Sequence, residues 1–356
     1  MQWVPDVAMR AVAHRTLLGG LALTCALSGC AEKTDLEFRT ELVSSIHASI
    51  DEDLASLVVA TRNIQAAAPS HAWAAGDAAA IEDMRGGWKR MRAAFERVEG
   101  AISPLFLELD EEIDGRYDTY LAKLGTTGDP HPFDDTGVIG MHAVERILYA
   151  PVMRSEVLDF ESALPGYRVA AFPASDADAI AFKSQLVERL VEDVTDLQAR
   201  WNPSAVELGA AYDGLVGLMT EQQAKLDLAA TGEEESRYAN VTLFDLRNNL
   251  DGTQKIYDLF RGWIQSKPSG EDDDDQILHE LRGLEAAYTT AADGDALPLA
   301  PPGWAVDHPS DADLATPFGV LWQRVHDSVD PAIPGSVVGR MNHVAELLGF
   351  PELTAP

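Results

Sequence analysis

Apolar side chains step by three and four along almost the whole chain, a spacing that fits one face of a helix and leaves little room for strands. Ile81, Met84, Trp88, Met91, Phe95, Val98 and Ile102 form one long run, with Asp77 placed to cap its start. Val187, Leu190, Val194, Leu197 and Trp201 repeat the stepping, as do Ile46, Ile50, Leu54 and Leu57. Further helical stretches are predicted at about 203–229, 233–265, 276–291, 312–328 and 335–348. No strand series competes with them, so the expected class is all-α, with amphipathic helices packed as antiparallel bundles. Breaks are expected at 66–76, 125–136, 164–176 and 266–275, and a Pro-rich surface connector at 297–317. The run Glu271-Asp272-Asp273-Asp274-Asp275 reads as a solvated loop.

The first thirty residues read as an address. Arg10 and Arg15 precede the apolar stretch Leu17 to Leu27, which ends in Leu27-Ser28-Gly29-Cys30. That stretch is too short to span a bilayer, which takes roughly 20 apolar residues. Residues 1–29 are therefore expected to be a lipoprotein signal peptide. Cys30 would be lipidated as the mature N-terminus, tethering the protein on the periplasmic side of the envelope; Ala31 is compatible with the outer membrane. Cys25 leaves with the signal, so disulfides, cysteine zinc sites and thiol nucleophiles are excluded. Any transition metal is left to His, Asp and Glu, a set suited to iron, zinc, manganese or copper(II). The formal charge of −31 repels nucleic acid and anionic lipid and concentrates cations near the surface.

Inside the apolar segment 137–150, His142 and Glu145 stand three residues apart, about 60° around a helix, so both side chains can meet one ligand. A lone buried histidine has a plain reading as a satisfied core residue. A buried glutamate beside it is costly without a cation, a hydrogen-bonding partner or a metal. Glu96 and Glu99 show the same spacing on an earlier helix, and either also reads as a surface carboxylate or a simple ion pair. Leu109 to Asp118 is dense with oxygen ligands and reads, for most of its members, as a solvated acidic turn. Bundle cores that gather carboxylates with a Glu/His pair from facing helices hold metal ions.

Phe95-Glu96-Arg97-Val98-Glu99, Leu109-Asp110 with Ile113-Asp114-Gly115-Arg116, and Gly140-Met141-His142-Ala143-Val144-Glu145 together resemble successive signatures of the imelysin-like family. The branch they resemble is the EfeO/EfeM type of periplasmic iron-uptake lipoproteins. Thr231-Gly232-Glu233-Glu234, Arg237-Tyr238, Asp245 and Asn249-Leu250-Asp251-Gly252 fall in the family's order. The resemblance implies one helical domain over 30–356, built of two pseudo-symmetric four-helix bundles at about 36–163 and 177–350. It implies a metal cleft at His142 and Glu145, joined by Glu96, Glu99, Asp114 and either Glu233 or Glu234. Arg116 would orient a carboxylate; Asp245 and Asn249 would support the ligands from behind. The chain departs from the family at Met141, where an aromatic is common, at Ala143, where a base is common, and at Ala239-Asn240, which replaces Ser-His. The long insertion between Asp114 and His142 leaves room for Asp114 to be displaced from the site. A cupredoxin module is absent.

The function these readings imply is an envelope-anchored lipoprotein that captures a divalent or trivalent metal ion, with iron first and zinc, copper or calcium as alternatives. Its partners would be the membrane, through the lipid anchor, and an inner-membrane iron permease or peroxidase-type protein. One alternative is a metallopeptidase of the imelysin type. Against it, His142-x-x-Glu145 lacks a second imidazole, and His279-Glu280 has Gly283 where a zinc protease places its second histidine. The other alternative is cation-dependent binding of an acidic polysaccharide, which the net charge disfavours.

Overall fold

The computed structural model describes residues 33–350 apart from positions 203 and 293; the signal segment and Cys30 lie outside the described residues. Two long helices open the chain, α1 (Asp35–Ala67) and α2 (Ala78–Ile102), followed by the short α3 (Leu107–Asp114), α4 (Tyr117–Leu124), α5 (Gly140–Leu148) and α6 (Ser155–Ser162). Helix α7 (Asp176–Ala181) runs through a π turn into α8 (Val187–Trp201). Then come α9 (Leu208–Ala229), α10 (Thr242–Gln265), α11 (Gly270–Ala291), α12 (Asp311–Leu314), α13 (Pro317–Val329) and α14 (Val337–Leu347). No β-strand occurs among the described residues, and no described helix is long and apolar enough to cross a membrane.

The predicted stripes are the buried ones. Met84, Trp88, Met91, Phe95, Val98 and Ile102 of α2 all enter the core, as do the α8 and α1 runs. Helix α2 is the central element: α1, α9, α10 and the short α3 and α5 all pack against it. Helices α9, α10, α11, α13 and α14 pack among themselves. Helix α8, counted with the second bundle in the sequence reading, lies against α1, α3 and α5.

Three local expectations are corrected. Helix α9 begins at Leu208 rather than 203, because the Glu207 carboxylate accepts the Ala210 N–H and caps it. Residues 233–241 form turns rather than helix, with Asn240 in the left-handed region at φ 57°. The acidic run 271–275 is the first turn of α11 rather than a loop, where carboxylates complement the helix dipole. Asp274 there accepts from the Tyr257 hydroxyl (3.1 Å), Arg261 Nε (3.0 Å) and Gln265 Nε2 (2.6 Å), and so ties α11 to α10.

The crossing of α2 and α9 sets the site, and it depends on two glycines. A Cβ at Gly214 would lie 1.7 Å from the Gly100 carbonyl oxygen, so the backbones meet with no side chain between them. Gly214→Ala must push α9 away from α2. We expect a loss of about 1–3 kcal/mol, as overpacking a tight contact does; a melting temperature within 1 °C of wild type, by circular dichroism, would contradict this account of the crossing.

Candidate metal centre

The site forms where α2, α3, α5, α9, α10 and the 231–241 turns converge. Helix α5 is brought to α3 by Gly140, at φ +86°, whose Cβ would stand 2.6 Å from the Glu112 carbonyl oxygen. Only glycine tolerates both the angle and the approach. The first residue of the Gly-x-His-x-x-Glu motif thus carries His142 to Asp114, and His142 Nε2 lies 3.1 Å from Asp114 Oδ1. Such a displacement of Asp114 does not occur. The insertion folds back on itself: Asp129 accepts the N–H groups of His131 (2.9 Å) and Val138 (3.1 Å), leaving α3 and α5 in contact.

His142 Nδ1 bonds Glu145 Oε2 at 2.8 Å, and Glu145 Oε1 accepts the backbone N–H groups of Tyr238 (3.1 Å) and Ala239 (2.8 Å). Three donors on one carboxylate keep Glu145 an acceptor and make Nδ1 the protonated nitrogen. Burial lowers the His142 pKa, opposed by its bond to Glu145, so the ring is neutral with a free lone pair on Nε2. That nitrogen is buried and makes no hydrogen bond, although Asp114 Oδ1 lies 3.1 Å away. Both oxygens of Glu145, expected as a ligand, are engaged in hydrogen bonds, one of them to His142. The replacement of Ser-His by Ala239-Asn240 leaves this intact, since only a backbone N–H is used.

Around this imidazole, two buried cations hold six carboxylates. Arg92 is paired with Glu96, Asp114 and Glu235 and stands 3.5 Å from Asp245, while Lys225 faces Glu96, Glu99, Glu221 and Glu235. Trp88 Nε1 donates to the Met141 carbonyl (2.9 Å), and Arg92 Nη1 to the Met141 sulfur (3.3 Å), which gives the departure at Met141 a structural role. Asn249 donates to Glu99 Oε2 (3.1 Å) and to the Glu96 carbonyl (3.0 Å). Asn249 and Asp245, expected behind the ligands, are both buried, Asn249 against Glu99 and Asp245 beside Arg92.

Of the other expected residues, Glu96 and Glu99 are both buried in the cluster. Glu233 and Glu234 are not in it. Glu234 turns to Arg154 and to the Thr242 hydroxyl, and Glu233 reaches Arg116 only through its carbonyl oxygen, while the next residue, Glu235, joins the cluster. Arg116 pairs with Asp118 at 3.1 Å rather than with a cluster carboxylate. Glu221, Glu235 and Lys225 were not anticipated. An i, i+4 Glu221–Lys225 pair on the otherwise largely apolar α9 was the signal available for two of them. Among the described residues no group of three or more His, Cys, Asp or Glu side chains is set to hold an ion as it stands. The reason is steric and electrostatic: Arg92 and Lys225 fill the space between the carboxylates.

Two cations cannot balance six ionised carboxylates, and burial raises most of them, so part of the set holds protons near neutral pH. Asp114 is pushed up to about 8, chiefly by desolvation, with Arg92 opposing. Desolvation lifts Glu221 to about 7 against the pull of Lys225. Burial likewise raises Glu99 and Asp245 well above the usual range. For Glu235 desolvation is outweighed by Lys225 and Arg92, which hold it well below that range. Asp110, beside the cluster and bonded to Ser103, is lifted to about 7 by desolvation and by Asp114.

Sequence comparison assigns the class. The chain belongs to the imelysin family, whose model (peptidase M75) matches residues 50–303. The chain is similar to the iron uptake system component EfeO of Escherichia coli K12, at 29% identity over 191 residues, 54% of this chain and 40% of that protein. The Shigella flexneri EfeO matches to the same extent. The chain thus aligns with less than half the length of these curated relatives. A crystal structure of a candidate iron-regulated protein A precursor from Parabacteroides distasonis shares the fold, with a TM-score of 0.52 and 14% identity over 89% of this chain and 97% of that one.

These carboxylates also set the pH response. With folded pKa values above the unfolded ones of about 4, the folded state holds extra protons between pH 4 and 8. Their stabilising contribution is complete below about pH 4 and is lost as pH rises through 7 to 8. The chelator-treated protein should melt at a lower temperature at pH 8.5 than at pH 5.5, and Asp110→Asn should shrink the difference. An unchanged difference in the variant would remove Asp110 from this account.

Proposed function

We propose that the chain is a cation-capturing component of an iron-uptake system, with the metal ion as cargo. One observation carries the reading: a neutral imidazole nitrogen with no hydrogen-bond partner points into a buried cluster whose carboxylates outnumber its cations. His142 Nε2, Asp114, Glu96, Glu99 and Glu235 would supply a nitrogen and hard oxygens, the donor set that suits iron. Glu145 would set the tautomer and aim of His142, and Arg92 would keep Asp114, Glu96 and Glu235 together. The similarity to EfeO proteins supports iron as the cargo over zinc, copper or calcium. A signal peptide over 1–29 and lipidation at Cys30 would place the site on the periplasmic side of the envelope, where a membrane permease or peroxidase-type partner could take the ion onward. The engaged oxygens of Glu145 leave it unsuited to serve as a general base, so the peptidase alternative gains no support from the site.

Titration calorimetry with ferrous iron under argon, and with zinc, tests the assignment. His142→Ala should weaken binding by about 100-fold and Glu145→Gln by about 10-fold, the range seen when a ligand or the group orienting it is removed. Equal binding by wild type and His142→Ala would take the cargo away from this site.

A further inference from the structure

Lys225 stands at the point where an ion would be sought. Its Nζ lies 2.9 Å from Glu96 Oε2, 3.2 Å from Glu221 Oε1, 3.2 Å from Glu235 Oε2 and 3.7 Å from Glu99 Oε2. Only the Glu221 contact follows from local helix geometry; α2 and the 231–241 turns bring the other three. Oxygens converging from separate elements on one buried positive charge form the kind of cage that hard cations occupy. The cluster also has acceptors that its resident cations do not satisfy. His142 Nε2 is buried without a hydrogen-bond partner, and Asp245, also buried, meets Arg92 Nε only at 3.5 Å.

A groove of about 470 Å³ opens beside the cage between α2 and α9, and Glu99 and Glu221 line both. Ser103, Asp213, Leu218 and Ala224 form much of the rest of its wall. An ammonium on a flexible four-carbon stem can move into such a space, whereas a rigid guanidinium held on several sides cannot. A multivalent ion and an ammonium cannot both stand at the point where these carboxylates converge, because their repulsion at such a distance is strong.

Resting on the capture reading above, we propose that Lys225 is the resident cation of the site and that loading is an exchange. The arriving ion takes the carboxylates of Glu96, Glu99 and Glu235 that the capture site shares with Lys225, and the Lys225 ammonium moves out into the groove. On release the ammonium returns. Competition of this kind keeps affinity below what the carboxylates alone would give, which suits a protein that must hand its ion on.

The test compares zinc and anaerobic ferrous iron binding, at one pH, by the metal-free wild-type chain, Lys225→Met and Lys225→Arg. Lys225→Met should bind about tenfold more tightly or better, and Lys225→Arg no more tightly than wild type. If wild type binds and Lys225→Met binds equally or more weakly, exchange is overturned and capture stands. If neither binds, both readings fall. Should Lys225→Met not fold, amine acylation of the wild-type chain followed by peptide mass spectrometry decides the matter. Labelling of Lys225, whose side chain is 2% exposed, should rise when zinc is added to the metal-free chain; labelling that stays level or drops overturns exchange.

Discussion

Arg92 and Lys225 carry two positive charges into the interior, and the elements of the site are arranged around them. Each is almost completely buried, and between them they reach carboxylates on α2, α3, α9, α10 and the 231–241 turns. Glu96 and Glu235 touch both cations, so the two centres share carboxylates. Buried ion pairs of this kind are poor stabilisers: desolvation takes back most of the Coulomb energy, and apolar replacements often do as well. A network with more acids than bases is poorer still. Its presence at the centre of the helices is therefore explained better by the surplus of carboxyl groups it offers to an arriving cation than by what it adds to folding.

The two sides of the site differ in stiffness. His142 is fixed by Glu145, which is itself fixed by two backbone N–H groups, and the backbone that supplies them sits beside a left-handed residue at Asn240. The 3.1 Å approach of His142 to Asp114 follows from a glycine contact between α3 and α5. A nitrogen held this way would need no rearrangement to meet an ion. On the other side, Glu221 is 31% exposed and Glu235 18% exposed, next to the groove. An ion entering there would meet adjustable carboxylates first and the rigid imidazole last.

Much of this was legible in the sequence, for identifiable reasons. The all-α class followed from the three-and-four stepping because a buried helical face cannot be disguised: the α1, α2 and α8 stripes are the residues found in the core. His142 with Glu145 and Glu96 with Glu99 were legible because one-turn spacing is a local rule. The 231–241 turns were not, since their irregular path is dictated by tertiary bonds to Glu145 and Glu234, and there the choice fell on Glu233 or Glu234 when Glu235 is the one that turns inward. Three consecutive glutamates outside a regular helix carry no periodicity to say which faces in. The insertion before α5 misled in the opposite way. Its length suggested displacement of Asp114, while the Asp129 turn that closes it is a matter of two hydrogen bonds that length does not reveal.

The choice of lysine at one centre and arginine at the other is itself informative. A guanidinium offers five donors in a fixed plane, and Arg92 spends them on Glu96, Asp114, Glu235 and the sulfur of Met141, with Asp245 close by. Removing it from that position would mean breaking contacts to four elements at once, which makes Arg92 a fixture. An ammonium makes no planar demand, and Lys225 collects its four carboxylates at unequal distances, from 2.9 to 3.7 Å, as a point charge does. It also lies on the side of the cluster nearer the groove, whereas Arg92 lies on the side nearer His142. A site meant only to be neutral could have used either residue in either place. The arrangement found keeps the anchored charge deep and the movable one by the opening, which is the order a site needs if one of its two cations has to leave when a third arrives.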